Sequence, residues 1–154
     1  MPLFRGQHEH AIDAKGRTSV PAKFRDLLAA PSSFAGAHER LVLTHGVDPC
    51  LVAYPMTEWL AFEEKIAKLS QFDRAVQKLR RIYVSGAVEC EVDDSGRVLI
   101  PPTLRDHAKL AKEVIWAGSG KYAELWDKNT WREFCDTSEE ERLAMSQRLA
   151  ELGL

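Results

Sequence analysis

One stretch of 25 residues occurs twice, and that duplication limits the possible folds more than any other feature of the chain. Residues 4–28, FRGQHEHAIDAKGRTSVPAKFRDLL, align without a gap on residues 84–108, VSGAVECEVDDSGRVLIPPTLRDHA, at a constant offset of 80. Eight of the 25 positions are identical. Unrelated segments of average composition would share about 1 to 2. The identical pairs are Gly6/Gly86, Glu9/Glu89, Asp13/Asp93, Gly16/Gly96, Arg17/Arg97, Pro21/Pro101, Arg25/Arg105 and Asp26/Asp106. The likeness resumes at an offset of 72, where Tyr54 falls on Trp126 and Trp59 on Trp131. The first copy therefore carries eight extra residues, in a Pro-, Ser-, Gly- and Ala-rich stretch around Ala29–Arg40 that reads as a surface loop.

The division expected is a first repeat with its following helix over residues 4–70, a linker helix over 71–83, and a second repeat with a C-terminal helix over 84–154. Each half reads as strand, tight turn, strand, short helix, hairpin, helix. HEHAI and AVECEV alternate as strands do. DAKG and DDSG are turn sequences, in which glycine supplies positive φ and aspartate accepts local backbone hydrogen bonds. Pro21 and Pro101, which cannot donate to a ladder, close the return strands. After Pro55, the spacing of Trp59, Phe62, Ile66 and Leu69 predicts a helix with one apolar face. A linker helix over Asp73–Tyr83 should turn Val76, Leu79 and Tyr83 inward and Arg74, Lys78 and Arg81 outward. Thr130 with Glu133 offers a capping box for the last segment.

A strongly basic chain would announce a nucleic-acid partner, but 154 residues with a net charge of −2 do not. Local patches set the field at a binding face, so segregation of charge is the relevant test. Acid gathers in the tail (EEER at 139–142), and base gathers in the turns and the linker. With 45% apolar and 29% charged residues the chain is globular in composition. No apolar run approaches the roughly 20 residues that span a bilayer, and the polar opening does not look like a signal peptide, so a cytosolic location is expected. Cys50, Cys90 and Cys135 are odd in number and widely spaced, which predicts reduced, mostly packed thiols. Trp59, Trp116, Trp126 and Trp131 are expected mainly in the core, with one or two left for subunit contacts.

The Asp-x-x-Gly-Arg turn is the candidate site. Glycine lets backbone approach another surface, and an arginine just beyond it can reach a base edge. A guanidinium pairs bidentately with guanine O6 and N7, at roughly 1–3 kcal/mol of discrimination. Arg17 and Arg97 are the base-reading candidates, with Asp13, Gly16, Asp93 and Gly96 shaping the two turns. Lys15 suits a phosphate contact, whereas the second copy has Ser95 there, so the first turn should hold DNA more strongly. Arg25/Asp26 and Arg105/Asp106 read as ion pairs that hold the fold.

Three other readings compete. His8 and His10 share one face of a strand, but zinc needs at least three ligands, so two surface histidines are expected and no metal or cofactor. No nucleophile elbow, phosphate loop or dinucleotide glycine pattern supports an enzyme or a small-molecule substrate. A partner-binding module of antitoxin type would share the same turns but would need a free C-terminal tail.

On these residues the chain resembles the MraZ family, bacterial regulators of the division and cell-wall gene cluster. FRGQHEHAIDAKGRTSVPAKFRDLL, ECEVDDSGRVLIPPTLRDHA and YAELWDKNTW carry the likeness, which covers nearly the whole chain. The resemblance implies an α+β fold: a small β-barrel of the AbrB swapped-hairpin type, built from two intrachain repeats with flanking helices. It implies double-stranded DNA as partner, contacted by Lys15, Arg17 and Arg97, with Arg5 a weaker candidate. It also implies a nucleoid-associated homo-oligomer, a closed ring, on short direct repeats upstream of its own operon. The pattern departs at Pro2-Leu3, at the QHEH of the first strand, and at Ser95.

Overall fold

The structure is a computed structural model, and it describes residues 3–28 and 40–154. The loop expected around Ala29–Arg40 lies outside the described residues except for Arg40, which opens a strand. The first half runs β1 (Gln7–Ala11), β2 (Arg17–Ser19), α1 (Ala22–Leu28), β3 (Arg40–His45), β4 (Leu51–Pro55) and α2 (Met56–Ala67). The second half repeats it as β5 (Val88–Glu91), β6 (Arg97–Leu99), α4 (Pro102–Ala108), β7 (Glu113–Gly118), β8 (Ala123–Asp127) and α5 (Lys128–Cys135). Between them lie α3 (Arg74–Leu79) and a π-helical turn (Arg80–Val84); α6 (Glu139–Glu151) follows α5.

The halves exchange strands. The six-stranded sheet has the order β1-β7-β8-β4-β3-β5, so the first strand of each half pairs with the hairpin of the other. The order is symmetric about the β8–β4 pair, as a pseudo-twofold axis requires. β2 and β6 form a separate antiparallel ribbon, again one strand from each half. A bridge from Ile12 to Thr18 ties the ribbon to β1. The α+β fold expected from the resemblance is thus present, a six-stranded antiparallel sheet whose edge strands, β1 and β5, contact the ribbon strands β2 and β6.

This exchange follows from what each half lacks. A lone hairpin and strand leave apolar faces and edges exposed, and a few strands alone are marginal in water. Pairing across the halves buries Phe4, Phe24, Leu41, Leu43, Leu51, Ile100, Leu104, Val114, Trp116 and Leu125 in one core drawn from both. Phe24 of α1 meets Phe4 edge-on at 5.2 Å and Trp116 of β7 at 6.5 Å. Trp59, Trp116 and Trp126 are buried and Trp131 partly so, as core-filling predicts.

Outside this core the helices depart from expectation at several ends. Leu69 lies beyond the last turn of α2 and is half exposed, because the helix stops at Ala67. Asp127, not Thr130, caps α5, accepting from the Asn129 N–H. Asp73 caps α3, accepting from Ala75 and Val76, and Val76, Leu79 and Tyr83 are only partly buried. Ser138 caps α6, which has no buried residue. Cys50 and Cys90 are buried free thiols, and burial pushes them up to about 12 and about 11. Cys135 is free and exposed.

His8 and His10 do share one face of β1, but the face turns inward, so the surface placement expected is corrected. His8 packs edge-on against Phe24 at 5.1 Å because that strand face covers the core. Among the described residues no group of three or more His, Cys, Asp or Glu could hold a metal ion. A second imidazole pair, His45 of β3 and His107 of α4, stacks at 4.4 Å between the halves. Burial, and secondarily the neighbouring imidazole, holds His10 and His45 below the usual histidine value. The fold therefore favours the neutral form of both, while the unfolded chain takes up protons near the ordinary value of about 6.5. Stability is present above that pH and is lost as pH falls toward the folded values. Thermal unfolding should give a lower melting point near pH ~5 than near pH ~7.5, with a smaller difference in His45→Gln. Equal melting points in the wild type would contradict this.

Candidate nucleic-acid interface

Each turn is built by its own aspartate. The Asp13 carboxylate accepts the N–H of Lys15 and of Arg17 on Oδ1, both at 2.9 Å, and Arg17 Nε on Oδ2 at 2.8 Å. Gly16 N–H donates to Asp13 O, and Gly16 sits at φ +89°, where a side chain is strained. The second turn repeats this with Asp93, which accepts from Ser95 and Arg97 at 2.9 Å. Its ion pair to Arg97 Nε is longer, 3.3 Å, and misaligned as a hydrogen bond. These hydrogen bonds, with the Arg17 backbone N–H first for Asp13 and that of Arg97 first for Asp93, hold both carboxyls below the usual carboxylate value. A carboxylate clamped on Nε leaves the outer edge of the guanidinium fork for another partner.

The two turns are locked to each other. Val20 N–H donates to Gly96 O, and Ile100 N–H to Gly16 O, each at 2.8 Å. The Arg105 guanidinium lies over Gly16, and that of Arg25 over Gly96. A Cβ on either glycine would fall 2.7 Å from the covering guanidinium carbon. Arg25 and Arg105, expected to pair with Asp26 and Asp106, are corrected: each guanidinium covers the opposite turn's glycine. The offset-80 repeat could have suggested it, since both arginines recur with both glycines.

The ribbon register sets the outer face. Arg17 lies opposite Leu99, Thr18 opposite Val98, and Ser19 opposite Arg97. Thr18 and Val98 are buried, so Arg17, Ser19, Arg97 and Leu99 share the outward face. Arg17 and Arg97 are diagonal neighbours there, about 7–8 Å apart by the usual sheet geometry. Lys15 is exposed in the adjoining turn. The structure therefore brings Lys15, Arg17 and Arg97 together, shaped by Asp13, Gly16, Asp93 and Gly96.

Arg5 does not join them. It precedes β1, whereas the turn follows β1, and its backbone packs closely over Gly118 at the far end of β7. A strand advances about 3.3 Å per residue, which puts Arg5 at the wrong end of the sheet for this face. The basic linker is likewise remote: the π-helical turn enters β5 at the end opposite the Asp93 turn, where Thr44 Oγ1 donates to Tyr83 O. Leu99 was not legible from its strand position, which suggested only alternation. A third aromatic match at offset 72, Phe62 with Phe134, was missed as well; Phe62 stacks on Tyr54 at 5.8 Å, and Phe134 packs on Trp126 at 5.0 Å.

Fold and site together define a class: a strand-exchanged duplication that presents two arginine turns, one per half, on a single ribbon face. The family described as "MraZ protein, putative antitoxin-like" matches residues 3–82 and again residues 83–152, and the chain belongs to this family. Among its relatives, "Transcriptional regulator MraZ" of Thermoanaerobacter sp. (strain X514) is 39% identical over 99% of this chain and 100% of its own length. The protein of the same name from Alkaliphilus metalliredigens (strain QYMF) is 40% identical over 99% of this chain and 100% of its own length. That of Caldanaerobacter subterraneus subsp. tengcongensis is 42% identical over 89% of this chain and 90% of its own length.

Proposed function

We propose that the chain is a sequence-specific transcriptional regulator that binds double-stranded DNA through the β2–β6 ribbon. One observation carries this reading: ribbon pairing sets an arginine from each half on one outward face, each clamped by an aspartate. A B-DNA major groove, about 12 Å wide, admits a two-stranded β-ribbon. Arg17 and Arg97 read base edges, and Lys15 contacts phosphate. The names of the relatives support a role in transcription.

The finer parts of the reading rest on family resemblance. They are a homo-oligomeric ring, short direct repeats ahead of the chain's own division and cell-wall gene cluster, and a cytoplasmic, nucleoid-associated location. No helix among the described residues is long and apolar enough to cross a membrane. A second reading, partner binding of antitoxin type, is favoured by α6, which leaves Leu143 and Met145 exposed, as is Leu152 just past its end.

Selection of bound duplexes from random fragments tests the first reading. A recovered consensus is expected, with affinity falling steeply on a log–log salt plot as neutralised phosphates release counterions. Binding without sequence preference, or a flat salt plot, would overturn it.

A further inference from the structure

We propose that Leu99 reads sequence directly, by apolar contact with the C5-methyl group of a thymine in the major groove. This rests on the DNA-binding reading and adds a second base class to the one the arginines address.

A lone exposed leucine on a protein surface ordinarily needs no explanation. Here the surroundings give it one. Leu99 is 55% exposed on the outward ribbon face, directly across from Arg17 and two residues along the strand from Arg97. The strand position itself does not demand leucine, since the equivalent position of the other half is Ser19, opposite Arg97. A β-branched residue would suit a strand better if shape alone mattered. The core is already closed beneath it by Val98, Ile100 and Thr18, which are at most 1% exposed.

The ligand chemistry matches in kind. The C5-methyl of thymine is the apolar group the major groove offers, beside the acceptor pair of guanine that suits arginine. Cross-strand Cβ atoms are about 4.5–5.5 Å apart, and successive bases of one strand rise about 3.4 Å. Bases met by Arg17 and Leu99 are therefore neighbours, one or two steps apart. The face reads guanine and thymine together on the Leu99 side, while Ser19 offers a hydroxyl on the other.

The experiment uses the full chain and a selected duplex in which each thymine in turn is replaced by deoxyuridine. This removes the methyl and keeps every pairing edge. Wild-type affinity should fall about fourfold at one thymine, the effect of losing one methyl-sized apolar contact. Leu99→Ala should bind the thymine and uracil duplexes alike, and Leu99→Met should restore the difference. A wild type indifferent to uracil at every position would overturn the proposal. So would a Leu99→Ala variant that stays as sensitive as wild type, or one whose circular-dichroism melt shows it unfolded while Leu99→Met shows no uracil effect. If no duplex is preferred over random DNA, the DNA-binding reading itself fails, an outcome distinct from these.

Discussion

Replacing Arg17 and Arg97 together by alanine should abolish preference for the selected duplex while leaving the fold in place. Each bidentate arginine–guanine pair contributes roughly 1–3 kcal/mol of discrimination, so losing two weakens specific binding by about thirtyfold to twenty-thousandfold. The stability cost is small by comparison. The ion pairs to Asp13 and Asp93 have side chains 33–42% exposed, where solvent screening leaves such pairs little weight in stability. Mobility shifts on the selected duplex, beside circular-dichroism melts, separate the two effects. Arg17→Ala should cost more than Arg97→Ala, because its guanidinium is held in the tighter of the two clamps, 2.8 against 3.3 Å. Full binding by the double variant would remove the ribbon face from the mechanism.

The largest stability effect is expected at Trp116. Its side chain is 1% exposed, its residue pairs with His8 of β1, and its ring packs on Phe24 of α1. The tryptophan comes from the second half and its neighbours from the first. Trp116→Ala should cost about 3–5 kcal/mol, through lost burial and the cavity left behind. At roughly 2–4 °C per kcal/mol for a chain of this size, the melting point should drop by about 10 °C. Because the core is shared, calorimetry should show one transition in wild type and variant alike. Two separate transitions, one per half, would contradict a common core.

What the sequence made legible was whatever is local. The turns could be read because Asp13, Gly16 and Arg17 act within five residues, and the same logic recurs at Asp93. The order of elements in each half was legible for the same reason. The exchange of strands was not visible from residues alone, since the β1 pattern is equally satisfied by its own hairpin or by the other half's. Resemblance supplied that expectation. Arg25 and Arg105 looked like partners of the aspartates beside them, but their guanidiniums reach the opposite turn, contacts about 70 to 90 residues away along the chain. Leu69 and Thr130 fit a helical spacing that the real helix ends interrupt. Leu99 stayed hidden because its meaning depends on what faces it across the ribbon.

Divergence of the two strand-exchanged halves gives the protein a direction. A pair of identical subunits joined in this way would present a symmetric face and would be matched to a palindrome. Covalent fusion of the halves has let one side become Lys15 and Ser19 while the other became Ser95 and Leu99. A face of that kind has a head and a tail, so a chain bound as proposed would sit on the duplex in one orientation. Successive chains that keep this polarity would follow head-to-tail repeats of a short word, whereas an inverted repeat would force every second chain to read its word backwards.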